Sequence, residues 1–93
     1  MTNISVSDRL IIQNKRGLHA RASAKFVQLV ERFDALVRVS KDGQTVCGNS
    51  IMGLMMLAAA PGCAIDVVAE GNEAEAVMEA LNKLISDRFG EGE

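Results

Sequence analysis

The 93-residue chain has no tryptophan, no tyrosine and only three phenylalanines. Base stacking on aromatic rings is therefore a poor basis for any function it has. A formal net charge of −2 also removes the general cationic field that nucleic-acid binding requires. One histidine and no carboxylate cluster at ligand spacing argue against a metal centre, and nothing in the pattern calls for another cofactor. Cys47 and Cys63 have neither metal-ligand spacing nor a second histidine to help them. They read as small core or strand residues. The longest apolar run, Ile51 to Ala60, contains Gly53 and stops at the only proline, Pro61, too short to span a membrane. Met1-Thr2-Asn3-Ile4 begins no signal-peptide pattern. The expectation is a cytoplasmic chain with no membrane insertion.

What is present reads as globular: 48% hydrophobic against 24% charged residues. The length suits one domain, residues 1–93, with a single core and no deep cleft besides. Charge is unevenly spread. Residues 1–33 carry Arg9, Lys15, Arg16, Arg21, Lys25 and Arg32 against Asp8 and Glu31, while the remainder carries four basic groups against ten acidic ones. A basic first third favours anions or acidic partner surfaces, although short domains also show such imbalance by chance.

Hydrophobic periodicity orders the elements. Ile4, Val6, Leu10 and Ile12 give a period-2 strand within 4–13, broken by Asn14-Lys15-Arg16-Gly17. Ala20, Ala24, Phe26, Val27, Leu29, Val30 and Phe33 form a broad apolar helical face that should end near Asp34. Val37 and Val39 alternate with polar residues, Lys41-Asp42-Gly43 is a hairpin turn, and 44–48 returns as a third strand. Ser50 is a credible N-cap for a short helix at about 51–57. Residues 65–70 alternate again, and Asn72 with Glu75 resembles a capping box ahead of a helix that buries Val77, Met78, Leu81, Leu84 and Ile85. The order is β-α-β-β-α-β-α. The predicted fold class is α+β, a two-layer open-faced sandwich with a four-stranded antiparallel sheet, three helices on one face and water on the other.

Gly17-Leu18-His19-Ala20-Arg21 concentrates the chemistry. If His19 stands at the mouth of the helix that follows, an imidazole nucleophile, a guanidinium and unpartnered backbone N–H groups converge on one point. That set suits a transiently held phosphoryl group, which the field of the helix end also favours. On a regular helix residues i and i+2 do not face each other, but a histidine at the cap has non-helical φ/ψ and can fold back over the helix end. Gly17 permits the tight approach. From physics alone, a histidine that merely caps the helix, with Arg21 on the surface, is an equal reading.

The motif Gly17-Leu18-His19-Ala20-Arg21-Ala22 resembles the phosphocarrier-histidine motif of the HPr family of the bacterial phosphoenolpyruvate-dependent phosphotransferase system. The likeness continues through Asn49-Ser50-Ile51-Met52-Gly53-Leu54-Met55-Met56-Leu57, similar to the family's regulatory-serine region, and covers nearly the whole chain. It implies that His19 accepts phosphate from enzyme I through Nδ1 and passes it to an EIIA-type protein, with Arg21 clamping the phosphate. It also implies a carrier rather than a turnover enzyme, acting as a monomer. The family usually has proline where this chain has Ala22. Proline at the first helical position presets φ, whereas alanine offers good helix propensity and an extra N–H. Phe33-Asp34-Ala35, Asn49-Ser50 and Leu54-Met55-Met56-Leu57 look more like the nitrogen-regulatory branch than the sugar-transport branch.

The short helix is apolar on nearly every side. Leu54 and Leu57 are expected in the core, and the methionines suit an adaptable docking surface, although a wholly buried helix fits the pattern too. The resemblance implies partner contacts from Ile51, Met52, Met55 and Met56, with Ala20, Ala24 and Val27 across from them. Ser50 has two readings. It caps the helix, or, as in many family members, it is phosphorylated by an HPr kinase/phosphorylase, which sets negative charge beside that patch. A purely regulatory HPr-fold module controlled through Ser50, without His19 phosphotransfer, is the alternative function.

Overall fold

A computed structural model describes residues 4–91. Strand β1 (Ser5–Ile11) leads to helix α1 (Ala20–Val30), then to the hairpin of β2 (Leu36–Lys41) and β3 (Gln44–Cys47). Helix α2 (Ile51–Met56), strand β4 (Ala64–Glu70) and helix α3 (Ala74–Ser86) follow, with a closing 3-10 turn at Arg88–Gly90. The four strands form one antiparallel sheet in the order β1-β4-β2-β3. Leu10, Val37, Val39, Ile65, Val67 and Ala69 face the helices and are buried, while Ser7, Arg9, Ile11, Leu36, Arg38 and Asp66 lie on the open face. Ion pairs between neighbouring strands, Arg9–Asp66 and Arg38–Glu70, lie across that open face. This is the predicted α+β sandwich.

The strand order explains how distant residues meet. β1 and β2 each run antiparallel to β4, so they are parallel to each other with β4 between them. A parallel pair needs a crossover, which α1 supplies. β4 starts opposite the end of β1, with Ala64 against Ile11, and runs to the far edge. The 13 residues of α3 span about 20 Å at the helical rise, which carries the chain back to the end of the sheet where α1 begins. Ala22, Phe26 and Val30 from α1 and Val77, Leu81 and Ile85 from α3 recur at helical spacing and complete the core.

Two expected boundaries differ. α1 ends at Val30 rather than near Asp34, because its last N–H groups, on Arg32 and Phe33, turn to Leu29 and Val30 three residues back. That tightening swings the chain toward β2. The Asn72–Glu75 capping box does not form. α3 begins at Ala74, with Glu73 at the cap position and no side-chain cap bond. Asn72 instead donates Nδ2–H to Asp34 Oδ2 (2.9 Å), and Glu73 Oε1 accepts the Asp34 N–H (2.7 Å). A tertiary partner from the loop between α1 and β2 outbids the local pattern. Leu84 is half-buried, whereas the other four expected stripe residues are buried. Cys47 is exposed at the end of β3, and Cys63 packs against the core.

Candidate functional site: the mouth of helix α1

The loop before α1 is shaped by Gly17. Its φ of +67° is left-handed, and a Cβ there would stand 2.3 Å from the Ala59 carbonyl oxygen; only glycine fits. The same carbonyl accepts the Leu18 N–H at 2.9 Å. Asn14, fully buried, donates through Nδ2 to the Gly17 carbonyl at 2.8 Å and closes the loop from the other side. Leu18 is buried, so His19, next in the chain, is turned to the rim.

His19 caps α1. Its backbone is extended (φ −72°, ψ −179°), its carbonyl accepts the Ser23 N–H as the first helical bond, and its Nδ1 accepts the Arg21 N–H at 3.2 Å. An Nδ1 that accepts cannot carry the proton, so the neutral ring is the Nε2–H tautomer. Nε2 lies 2.5 Å from Glu91 Oε2, and Glu91 Oε1 accepts the second Asn14 Nδ2–H at 3.0 Å. Both of these Asn14 contacts are acceptors, which fixes its amide orientation. The ring is thus held at both nitrogens, with Nδ1 directed over the helix mouth.

Glu91 arrives by a contorted route. Arg88, Phe89 and Gly90 all take positive φ (55°, 55° and 74°), and for the two non-glycine residues this costs on the order of 1 kcal/mol or more each. Phe89 is completely buried, which offsets roughly 1.5–3 kcal/mol of that, and Lys25 Nζ donates to its carbonyl at 2.5 Å. Burial pushes the Glu91 carboxyl up, but the hydrogen bonds from Asn14 and His19 and the positive charge of Arg16 outweigh it. The net result holds the carboxyl below its ordinary value.

The basic third of the sequence gathers here. Lys15, Arg16, Arg21 and Lys25, with Gly90 and Glu91, line a cleft of about 350 Å³. Arg9, by contrast, is paired with Asp66 on the open sheet face. Arg21 is exposed and reaches the ring through its backbone N–H, while its side chain belongs to the cleft. Ala22 is buried and occupies the third helical position, not the first, still within the turn whose N–H groups lack intrahelical partners. An anion bonded to Nδ1 would meet these N–H groups, the dipole of the helix and the flanking cations together.

The second sequence-predicted region lies at the other short helix. Ser50 is the N-cap of α2 and its Oγ accepts the Gly53 N–H at 3.0 Å. Leu54 and Leu57 are buried as expected, while Ile51 (41%), Met52 (72%), Met55 (42%) and Met56 (69%) are exposed. The helix is therefore not wholly buried, and it packs beside α1. Ala20 is exposed and Ala24 half-buried. Val27, expected on the contact surface, is only 7% exposed and belongs to the core, because the inward stripe of α1 takes in the row of Ser23 as well as that of Ala22.

Sequence reasoning overlooked Asn14 and Glu91 and gave Lys25 no role beyond its place in the basic first third. Asn14-Lys15-Arg16-Gly17 carries a turn signal but no sign of a buried amide. Glu91 stands 72 positions from His19, and no local pattern links them.

Comparison with known proteins gives a consistent picture. The family model for the phosphorylation site of the PTS HPr component matches residues 6–87. The phosphocarrier protein HPr of Cupriavidus necator is 50% identical over 82 residues, covering 88% of this chain and 92% of that protein. The HPr of Neisseria meningitidis serogroup A is 52% identical with the same coverage. A crystal structure of a phosphocarrier protein HPr from Bacillus anthracis superposes with a TM-score of 0.83 at 43% identity, covering 87% of this chain and 96% of that one.

Proposed function

The chain belongs to the HPr family of phosphocarriers of the phosphotransferase system, and from this premise we propose that Nδ1 of His19 is the atom that bears the phosphoryl group. The observation that supports the reading is the cap itself: Nδ1 accepts the Arg21 N–H and stands over the mouth of α1. Its lone pair attacks phosphorus as the bond to the donor breaks, and the Arg21 N–H that now serves Nδ1 turns to a phosphoryl oxygen. The helix end favours the attached group by up to about 2 kcal/mol. The Arg21 guanidinium clamps it by charge-assisted hydrogen bonds worth about 1.5–3 kcal/mol.

Enzyme I is the donor in this reading and an EIIA-type protein the acceptor, each docking in turn on a monomeric, cytoplasmic carrier that acts as one domain. The exposed Ile51, Met52, Met55 and Met56, with Ala20 and Ala24, form the docking surface. Ser50 is the regulatory position. A phosphate added there by an HPr kinase/phosphorylase keeps the helix end satisfied and puts about −1.5 to −2 charge beside the methionines, weakening partner binding. Phe33-Asp34-Ala35 and Leu54-Met55-Met56-Leu57 favour the nitrogen-regulatory branch as the pathway served.

The test is incubation with phosphoenolpyruvate and enzyme I, followed by intact-mass analysis. An acid-labile adduct that disappears in His19→Ala is the expected result. An acid-stable adduct on Ser50, with none on His19, favours the regulatory-module alternative.

A further inference from the structure

Glu91 lies outside residues 6–87, the span that matches the family model, yet its carboxylate touches the one histidine of the chain. We propose that Glu91 is a positioning residue for phosphoryl transfer. In this role, which rests on His19 as the phosphorylated residue, its carboxylate holds the proton on Nε2, fixes the ring plane and keeps Nδ1 free to attack.

Three observations carry this. Both oxygens of Glu91 are engaged, Oε2 on His19 Nε2 at 2.5 Å and Oε1 on the buried Asn14 amide at 3.0 Å, so its orientation is set rather than fluctuating with solvent. The two side chains of the pair are 21% and 15% exposed, so water competes weakly for the contact. The chain accepts two successive left-handed non-glycine residues, Arg88 and Phe89, to bring the carboxylate there, and anchors them with a buried ring and Lys25. Strain of that kind persists where surrounding contacts over-determine it.

The charge logic agrees with the geometry. When the Nδ1 lone pair forms the N–P bond, the bond from phosphorus to the donor atom breaks and its electron pair leaves with the donor. The Nε2 proton stays on the ring, which gains positive character. A carboxylate on the far nitrogen stabilises that charge, as the acid does in a carboxylate–histidine pair. On the near nitrogen it would repel the incoming phosphoryl group. Asn14 completes the chain of support, because one amide holds both the Gly17 loop and Glu91.

The experiment compares the full-length wild type with Glu91→Gln and Glu91→Asp by long-range ¹H–¹⁵N NMR of the His19 ring and by the rate of phosphoryl acceptance from enzyme I and phosphoenolpyruvate across pH. In the wild type the two ring nitrogens should give widely separated shifts, with Nε2 protonated. In Glu91→Gln the shifts should converge and acceptance should slow about three- to tenfold, the scale of losing one partly exposed charge-assisted bond. Glu91→Asp, which keeps the charge on a shorter arm, should recover part of the rate. Unchanged ring shifts and rate in Glu91→Gln would overturn the role of Glu91 alone. Faster acceptance would also overturn it, by making the contact a block. A phosphoryl group mapped to a residue other than His19 would overturn this role and the His19 reading together.

Discussion

The mouths of α1 and α2 use the same local device with different surroundings. Each begins at a residue whose side chain accepts a backbone N–H from the first turn, His19 from Arg21 and Ser50 from Gly53. Around His19 the fold adds a loop pinned by Gly17 and Asn14, a carboxylate on the second ring nitrogen and a cleft of four cations. Around Ser50 it adds exposed aliphatic and methionine side chains. A cap therefore marks where a helix starts, and its neighbours decide whether it also holds an anion.

The largest effect that should separate the two mouths is on stability. Gly17→Ala puts a Cβ against the Ala59 carbonyl at a left-handed φ and should cost about 2–4 kcal/mol in urea denaturation. Gly53→Ala, in α2, meets Val46 at 3.0 Å with ordinary φ. Its gain in helix propensity of about 1 kcal/mol should largely offset the crowding. Equal losses at the two positions would remove the asymmetry.

Next in size is Arg21→Ala. The side chain is exposed and lines the cleft, so stability should stay within about 0.5 kcal/mol while phosphoryl acceptance falls roughly tenfold or more. Stopped-flow or quench-flow phosphorylation assays read this directly. The opposite pattern belongs to Ser50→Ala, which should lose about 0.5–2 kcal/mol of stability with its cap and leave the chemistry at His19 intact. Ser50→Asp keeps the cap and should lower enzyme I affinity several-fold through the new charge beside the patch, as isothermal titration would show. Unchanged affinity would remove Ser50 from regulation.

Much of this was legible in the sequence. Period-2 runs and the broad apolar face of Ala20 to Phe33 specify the strands and α1, although the buried rows run through Ala22 and Ser23 and leave Ala20 exposed. Both caps fall at polar residues directly before apolar periodicity. What escaped depends on partners far along the chain. Asn72 and Glu75 carry a good local cap signal, but Asp34 competes for Asn72 and Glu73. Val27 has the same local setting as Ala24, and only the packed core shows which of them is covered. Glu91 reaches His19 because α3 returns to the start of α1, a consequence of strand order rather than of any motif.

The smallest expected effect is acid loosening of that C-terminal contact. The Glu91 carboxyl is held below its ordinary value of 4.5, so its contribution to docking is complete above that pH and is lost as pH falls through the lower folded value. Amide exchange at Phe89 and Gly90 should accelerate over that acidic range in the wild type and be independent of pH, beyond the intrinsic rate, in Glu91→Gln.

The most direct test of the account is a ³¹P–¹⁵N correlation spectrum of the freshly phosphorylated chain. Phosphorus coupled to Nδ1 of His19, with Nε2 protonated, is the predicted result. Phosphorus on Nε2, or on Ser50 alone, would contradict it.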